Sequence, residues 1–346
     1  MHLRLRLPSD GAGPDCVPLV AGVSPLPNGD AWVAGSCGLR GRLTPSGFVD
    51  LAAATRRIRE KTGALKFDCD GSAFYTAVAA RSANDVFLGG QTRCGLDPNG
   101  IWPRPVERFD GQQFHELRAG ATVDDPRQRA PGLFAIDPRS AYFLALGDDS
   151  GGSPECAVYE LEPTRTTLLR ACLTPKLDRP SSSERFLSIG LDRDGTLWVS
   201  GQRFSSNAAH GGGIPFMLHW AGGHWLEGGP PDSGILTRAA DGKLWLFGKQ
   251  PWALASDGWR TRSVPIPVGA ADYAVGDEND VWFATESGVQ HFDGRFLKRV
   301  PFDSPPTSSS ISQIELSAGH LWANSAFFVW ELRRPGEAAA PLWEKR

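Results

Sequence analysis

The chain has no apolar run near 18 residues, only two methionines and one short stretch with helical patterning, Ala52–Gly63. A membrane-spanning helix needs roughly 18 or more consecutive apolar residues, so no segment qualifies. Cys-x-x-Cys is absent, which removes the usual zinc and redox patterns. Gly-x-Ser-x-Gly is also absent. The run His210–Gly213 (HGGG) therefore lacks the nucleophile elbow that such a run serves in esterases, and it reads as a glycine loop. With a net charge of −3 and a pI near 6.2 there is no dense basic face, which excludes nucleic acid as the partner. The one basic cluster, Arg56, Arg57, Arg59 and Lys61, reads as a solvated helix face. His219 and His224 do not suggest a metal pair. His219 stands at the same place in a repeat as Arg108 and His291, and no metal or other cofactor is expected.

What the chain has in quantity is turns and repeats. Gly occurs 40 times and Pro 27 times. Seven segments share one pattern, a polar turn and then an apolar strand opening on an aromatic: Trp32, Phe87, Phe143, Trp198, Trp245, Trp282 and Trp322. Successive aromatics are 55, 56, 55, 47, 37 and 40 residues apart, about the length of one supersecondary unit repeated around an axis. Asp-Gly or Gly-Gly pairs follow, as in ERFDGQQF, LHWAGGHW, LASDGWR and QHFDGRF; they supply the positive φ of a tight hairpin. An apolar strand also precedes each aromatic. Each unit thus reads as four antiparallel strands a to d with its aromatic on b. The expected fold is an all-β, seven-bladed β-propeller of four-stranded antiparallel blades, a single domain over 1–346. Two segments compete to close the last blade beside FFVWEL: LRLRLP at Leu3–Pro8 and PLWEKR at Pro341–Arg346. An open strand edge invites aggregation, so one of them covers it.

All six cysteines lie at or before Cys172. In an antiparallel hairpin, opposed residues share a constant sum. Cys16 with Cys37 centres at 26.5 and Cys69 with Cys94 at 81.5, each 5.5 residues before its unit's aromatic. Cys156 with Cys172 centres on 164, in the turn between c and d of the third unit. Opposed residues are close enough to bond, so the expected disulfides are Cys16–Cys37, Cys69–Cys94 and Cys156–Cys172. Three disulfides imply an oxidising location: periplasm, cell surface or medium. The start, MHLRLRLPSDGAG, has no apolar signal core, so export implies a signal segment outside this chain. Arg outnumbers Lys 29 to 7, which suits a GC-rich bacterial source.

The segments NDVWFATESGVQHFDGRFLKR and DGTLWVSG resemble the blades of bacterial propellers, particularly two-component-regulator and related sensor-type repeats. Kelch repeats are less similar, and no Trp-Asp pair supports a WD repeat. The resemblance implies the fold and a tendency toward ligand or protein recognition. It transfers no catalytic residue.

Function is therefore sought where the repeat is broken. The extra length lies in b–c and d–a connections, which leave a blade on one face: Gln91–Pro105, Arg118–Gly132, Gly147–Glu155, Thr174–Glu184 and Gln202–Pro215. They hold Trp102, Arg104, Arg127, Arg203, Phe204 and His210, aromatic and arginine groups of the kind enriched at recognition surfaces. Asp148 and Asp149 share that face, although a solvated turn is the commoner use of such a pair. The expectation is an exported, monomeric binding module for a protein, peptide or glycan. The alternative is a lyase or hydrolase at the mouth of the central channel, for which several convergent ionisable groups would speak.

Overall fold

The computed structural model describes residues 1–7, 19–36, 38–51, 73–93, 101–102, 106–117, 132–145, 156–163, 166–172, 183–204, 213–302, 311–317 and 319–333. Every regular element among them is a β-strand, and no helix is long and apolar enough to cross a membrane. The expected helix Ala52–Gly63 lies outside the described residues.

Seven four-stranded antiparallel sheets form the ring. Blade one is Val20–Pro25, Ala31–Gly35, Arg40–Thr44 and Gly47–Asp50, in the order a to d. Blade two is Ala73–Ser82, Asp85–Arg93, Val106–Phe109 and Phe114–Leu117, and blade three Gly132–Ile136, Ala141–Ala145, Ala157–Leu161 and Thr166–Ala171. Blade four follows with Ser183–Leu191, Leu197–Phe204, Ile214–Ala221 and His224–Glu227, and blade five with Ile235–Arg238, Leu244–Phe247, Pro251–Ala255 and Gly258–Thr261. Blade six is Ala270–Asp277, Asp280–Thr285, Gly288–Phe292 and Leu297–Arg299. Blade seven takes Gln313–Ser317, His320–Asn324 and Phe328–Arg333 from one end of the chain and His2–Arg6 as its outer strand. Of the two closure candidates the N-terminal strand is thus the one in place; the segment 341–346 lies outside the described residues. Each a strand lies against that of the next blade, and the seventh against the first.

The turns work as their residues dictate. Gly111, Gly258 and Gly294 close c–d hairpins at φ of 95°, 116° and 85°. In two of these hairpins the preceding Asp caps the turn, Asp110 accepting the amides of Gln112 and Gln113 and Asp293 those of Arg295 and Phe296.

The apolar core is divided into seven wedges, one in each seam between adjacent sheets. Trp32, Phe87, Trp198, Trp245, Trp282 and Trp322 each face the following blade, and all are buried. Blade three departs from the expected pattern. Phe143 is buried but faces backward, into the wedge shared with Phe87, while Tyr142 occupies the forward wedge. The polar residue two places before each aromatic explains this: Asp30, Asp85 and Asp280 align with Ser140, which sets Tyr142 as the equivalent residue. A shift of one residue turns a strand side chain to the other sheet face.

The same alignment shows what surrounds each aromatic. The residue opposite it on strand c is Arg42, Arg108, His219 or His291 in blades one, two, four and six. Asp30 pairs with Arg42, Asp85 with Arg108 and Asp280 with His291, while in blade seven acid and partner change places and His320 pairs with Glu331. His219 and His291 stack on Trp198 and Trp282, with ring centroids 4.6 and 3.8 Å apart. Both histidines thus serve the repeat, as their sequence position implied.

Candidate functional site

In the a-to-d order of these sheets, the d–a and b–c connections leave on one face of the ring. On that face blade four rises above its neighbours. Its a, b and c strands run on well beyond Trp198, with Ser183 opposite Phe204 and Arg203 opposite Ile214. Blade two gains a short additional strand, Ile101–Trp102, paired to its b strand through Thr92 and Arg93. Parts of three insertions, Gln91–Pro105, Thr174–Glu184 and Gln202–Pro215, are therefore strand extensions rather than irregular loops.

Arg203 stands on this ridge with its guanidinium committed inward. Nη2 donates to Glu184 Oε1 at 3.1 Å and to Glu227 Oε2 at 3.5 Å, and the group lies over the Phe216 ring at 5.0 Å. Burial opposes its charge, but the bonds to Glu184 and Glu227 raise its pKa above the ordinary arginine value. Glu184 is fully buried and also receives Arg170 Nη2 at 3.0 Å. Phe204 is half-buried beside it. Its ring lies so close to Gly213 that a Cβ there would be 2.9 Å from Phe204 Cε1, which accounts for that one glycine of the HGGG run. Ile214 next to it is 64% exposed. The backbone of Trp102 is described but its side chain is not; Arg104, Arg127, Asp148, Asp149 and His210 lie outside the described residues.

Cys156 and Cys172 are disulfide-bonded across the c–d hairpin of blade three, with Cα atoms 5.1 Å apart, as their common centre required. The bond braces the same face: Phe186 on the a strand of blade four donates its amide to Cys156 Sγ at 3.2 Å. Cys16, Cys37, Cys69 and Cys94 lie outside the described residues.

Through the ring runs an axial channel of about 960 Å³ lined by the a strands of all seven blades. Its chemistry was missed from the sequence. The a-strand residues opposite the forward aromatics are Ser24, Ala79, Ala135, Gly190, Thr237 and Ala274 in the first six blades, all small, and Glu315 in the seventh. Two residues nearer the insertion face, blades four, six and seven carry Ser188, Asp272 and Gln313. Each accepts an amide from the next blade's a strand: Leu236 to Ser188 Oγ at 2.9 Å, Ile314 to Asp272 Oδ2 at 2.9 Å, and Val23 to Gln313 Oε1 at 3.1 Å. An inner strand edge exposes amides that need partners, and these side chains supply them. Two of the three are neutral. Asp272 does the same work with a carboxyl.

Glu315 has no such seam to staple; its one described partner is Gln313 Nε2, 3.3 Å from Oε1. Asp272 and Glu315 line the channel wall, partly exposed to it and otherwise packed among the a strands of blades six and seven. The surrounding protein governs their titration, since it withholds most of the solvent that would stabilise a charge. Burial pushes Asp272 up to about 7 against the pull of the Ile314 and Tyr273 amides. Burial and then the charge of Asp272 push Glu315 up to about 8, with Gln313 opposing. The far mouth differs, with exposed Arg193 and Arg238 beside Asp241. Among the described residues no group of three or more His, Cys, Asp or Glu side chains could hold a metal ion.

Ring, seams and channel define a seven-bladed β-propeller. No family model matches the chain, and no curated protein matches it in sequence. Solved structures do share the fold. Two are of the extracellular domain of BT4673 from B. thetaiotaomicron, described once as a hybrid two-component and once as a one-component system. The first superposes with a TM-score of 0.55 at 11% identity over 94% of this chain and 39% of that one. The second gives 0.51 at 10% identity over 96% and 42%. This chain therefore spans about two fifths of those domains. A Penicillium chrysogenum alpha-L-arabinanase complexed with arabinobiose follows at a TM-score of 0.43 and 11% identity, covering 95% of this chain and 97% of that one.

Proposed function

We propose that this chain is an exported, monomeric recognition propeller, one domain over 1–346, that binds a protein, peptide or glycan on its insertion face over blades two to four. The observation that carries the reading is the ridge of blade four. Lengthened strands cost ordering entropy, and here the added length carries the half-buried Phe204 and the exposed Ile214 at the edge of the face. The Cys156–Cys172 bond supports export, and so does the fold shared with extracellular domains. Arg203, held by Glu184, is assigned to positioning this ridge; Phe204, Ile214 and Trp102 are assigned to contact.

A pull-down and a glycan array with the full chain identify the ligand, and Phe204→Ala and Trp102→Ala are then measured for affinity and melting temperature together. A tenfold or greater loss of affinity at unchanged melting temperature is expected of at least one variant. Unchanged affinity in both removes the site.

Asp272 and Glu315 favour a second reading, a lyase or hydrolase working at the channel, because carboxyls titrating near neutrality suit general acid–base chemistry. Turnover of a glycan retained on the array, lost in Glu315→Gln and kept in Phe204→Ala, would select it over binding alone.

A further inference from the structure

Charges of both signs line the axial channel, and they stand apart along its axis. Among the described residues its ionisable side chains are Asp272, Glu315, Arg193, Arg238, Asp241 and the phenol of Tyr273. Glu315 lies opposite Trp322, and so at the level of Thr237, which lies opposite Trp245; Asp272 is two residues nearer the insertion face. Arg238 follows Thr237 toward the far mouth, and Arg193 lies further out in the turn after the a strand of blade four. Three residues of strand, about 10 Å, thus separate the level of Asp272 from that of Arg238. Asp241 is bonded to Lys243 at 2.8 Å and also feels Arg193. The two arginines bond to no acid among the described residues, so positive charge is in excess at that end of the wall.

The two carboxyls are in conflict with their surroundings. Asp272 accepts the Ile314 amide at 2.9 Å and Glu315 accepts Gln313 Nε2 at 3.3 Å, and such bonds are stronger to an ionised carboxyl. The protein around both withholds the solvent that charge requires. Glu315 is the sharper case. The other six blades carry Ser, Ala, Gly or Thr at its level, it staples no seam, and a single donor leaves most of a carboxylate's acceptor sites unused. A residue that breaks the pattern of a repeat at a cost to the fold marks a functional site. An ammonium group in the channel supplies the missing counter-charge, and its three donors fill those acceptor sites. The inner edge of each a strand, unpaired within its own sheet, offers backbone groups to an extended guest. We propose that the channel is a binding site for a short peptide with free ends, its ammonium group between Asp272 and Glu315 and its carboxylate at Arg238 and Arg193. A tripeptide spans about 10 Å, which matches the separation of the two levels. The channel, at about 960 Å³, has room for it.

The test is NMR titration of the full chain with tri-alanine, N-acetyl-tri-alanine and tri-alanine amide, the blocked forms each lacking one charged end. Tri-alanine should shift the Ile314 and Arg238 amides and bind about tenfold more tightly than either blocked form. Glu315→Gln should bring the free and acetylated peptides to one affinity, and Arg238→Gln the free and amidated ones. Asp257→Asn, at an exposed rim carboxyl bonded to Arg260, should leave all three affinities as they are. Equal binding of the three peptides to the wild-type protein, or no shift at Ile314 with tri-alanine at about 10 mM, would overturn the site. The wild-type series decides the matter even where Glu315→Gln does not fold. The channel site rests on neither reading above: shifts confined to Phe204 and Ile214 would support the ridge and overturn the channel site, and glycan turnover is measured separately.

Discussion

Glu184 is fully buried and holds two guanidinium groups, Arg170 and Arg203, at the junction of blades three and four. A buried carboxylate with two cations is a poor source of net stability, yet removing one member strands the others without compensation. Glu184→Ala should therefore cost about 3–5 kcal/mol in urea unfolding, whereas Glu227→Ala, on the exposed end of the same chain of charges, should cost less than about 1 kcal/mol. Equal costs would show that the network does not act through burial. The aromatic positions follow a different logic, because an aromatic flanked by an Asp bonded to an Arg or His is enclosed by groups that satisfy each other's hydrogen bonds. In blade seven the acid and its partner change places, Glu331 standing opposite Trp322 and bonded to His320.

At the scale of elements, the strand His2–Arg6 completes blade seven from the opposite end of the chain. Arg4 pairs with buried Glu331 at 2.9 Å, and Leu7 donates its amide to Phe327 at 2.9 Å. Removing residues 1–7 uncovers the edge Phe328–Arg333 and leaves Glu331 without its arginine. Such a variant should melt at a lower temperature and self-associate in light scattering, since an uncovered edge is a template for strand pairing. A monomeric variant with wild-type melting would mean that another segment takes the place. Periodicity made the strands legible, but register was harder to read. Phe143 sits one residue past the repeat position, which Ser140 and Tyr142 set, and two adjacent aromatics on opposite faces of one strand are not told apart by residue type.

Across the whole molecule, two groups of carboxyls bend the stability curve in opposite directions. The amides and His115 around Asp110, and Lys298 with the turn amides around Asp293, hold these carboxyls well below the usual carboxylate range. Their stabilisation is present above the unfolded value, about 4, and is lost as pH falls below it. Asp272 and Glu315 are raised, so their contribution is full below about 4 and is lost as pH rises through their folded values near 7 and 8. These four groups place the maximum of the melting temperature near pH 4, with a decline on both sides. A maximum above pH 8 would contradict the assignment of the two channel carboxyls.

The seven-fold repeat, the strand order within each blade and the Cys156–Cys172 pairing were written in the sequence, because recurring aromatics, Asp-Gly turns and hairpin symmetry are properties of short stretches of chain. Closure was half legible: both termini carried a suitable strand, and only contact with Phe328–Arg333 separated them. The channel was not legible. Asp272 and Glu315 are unremarkable residues in short apolar strands, and what distinguishes them is the company of the equivalent positions in other blades, which ring closure brings around one axis. Arg203 shows the same limit from the other side. As a residue type in a long insertion it resembled a ligand contact, and only the fold brought the buried Glu184, nineteen positions away in sequence, within 3.1 Å of its guanidinium.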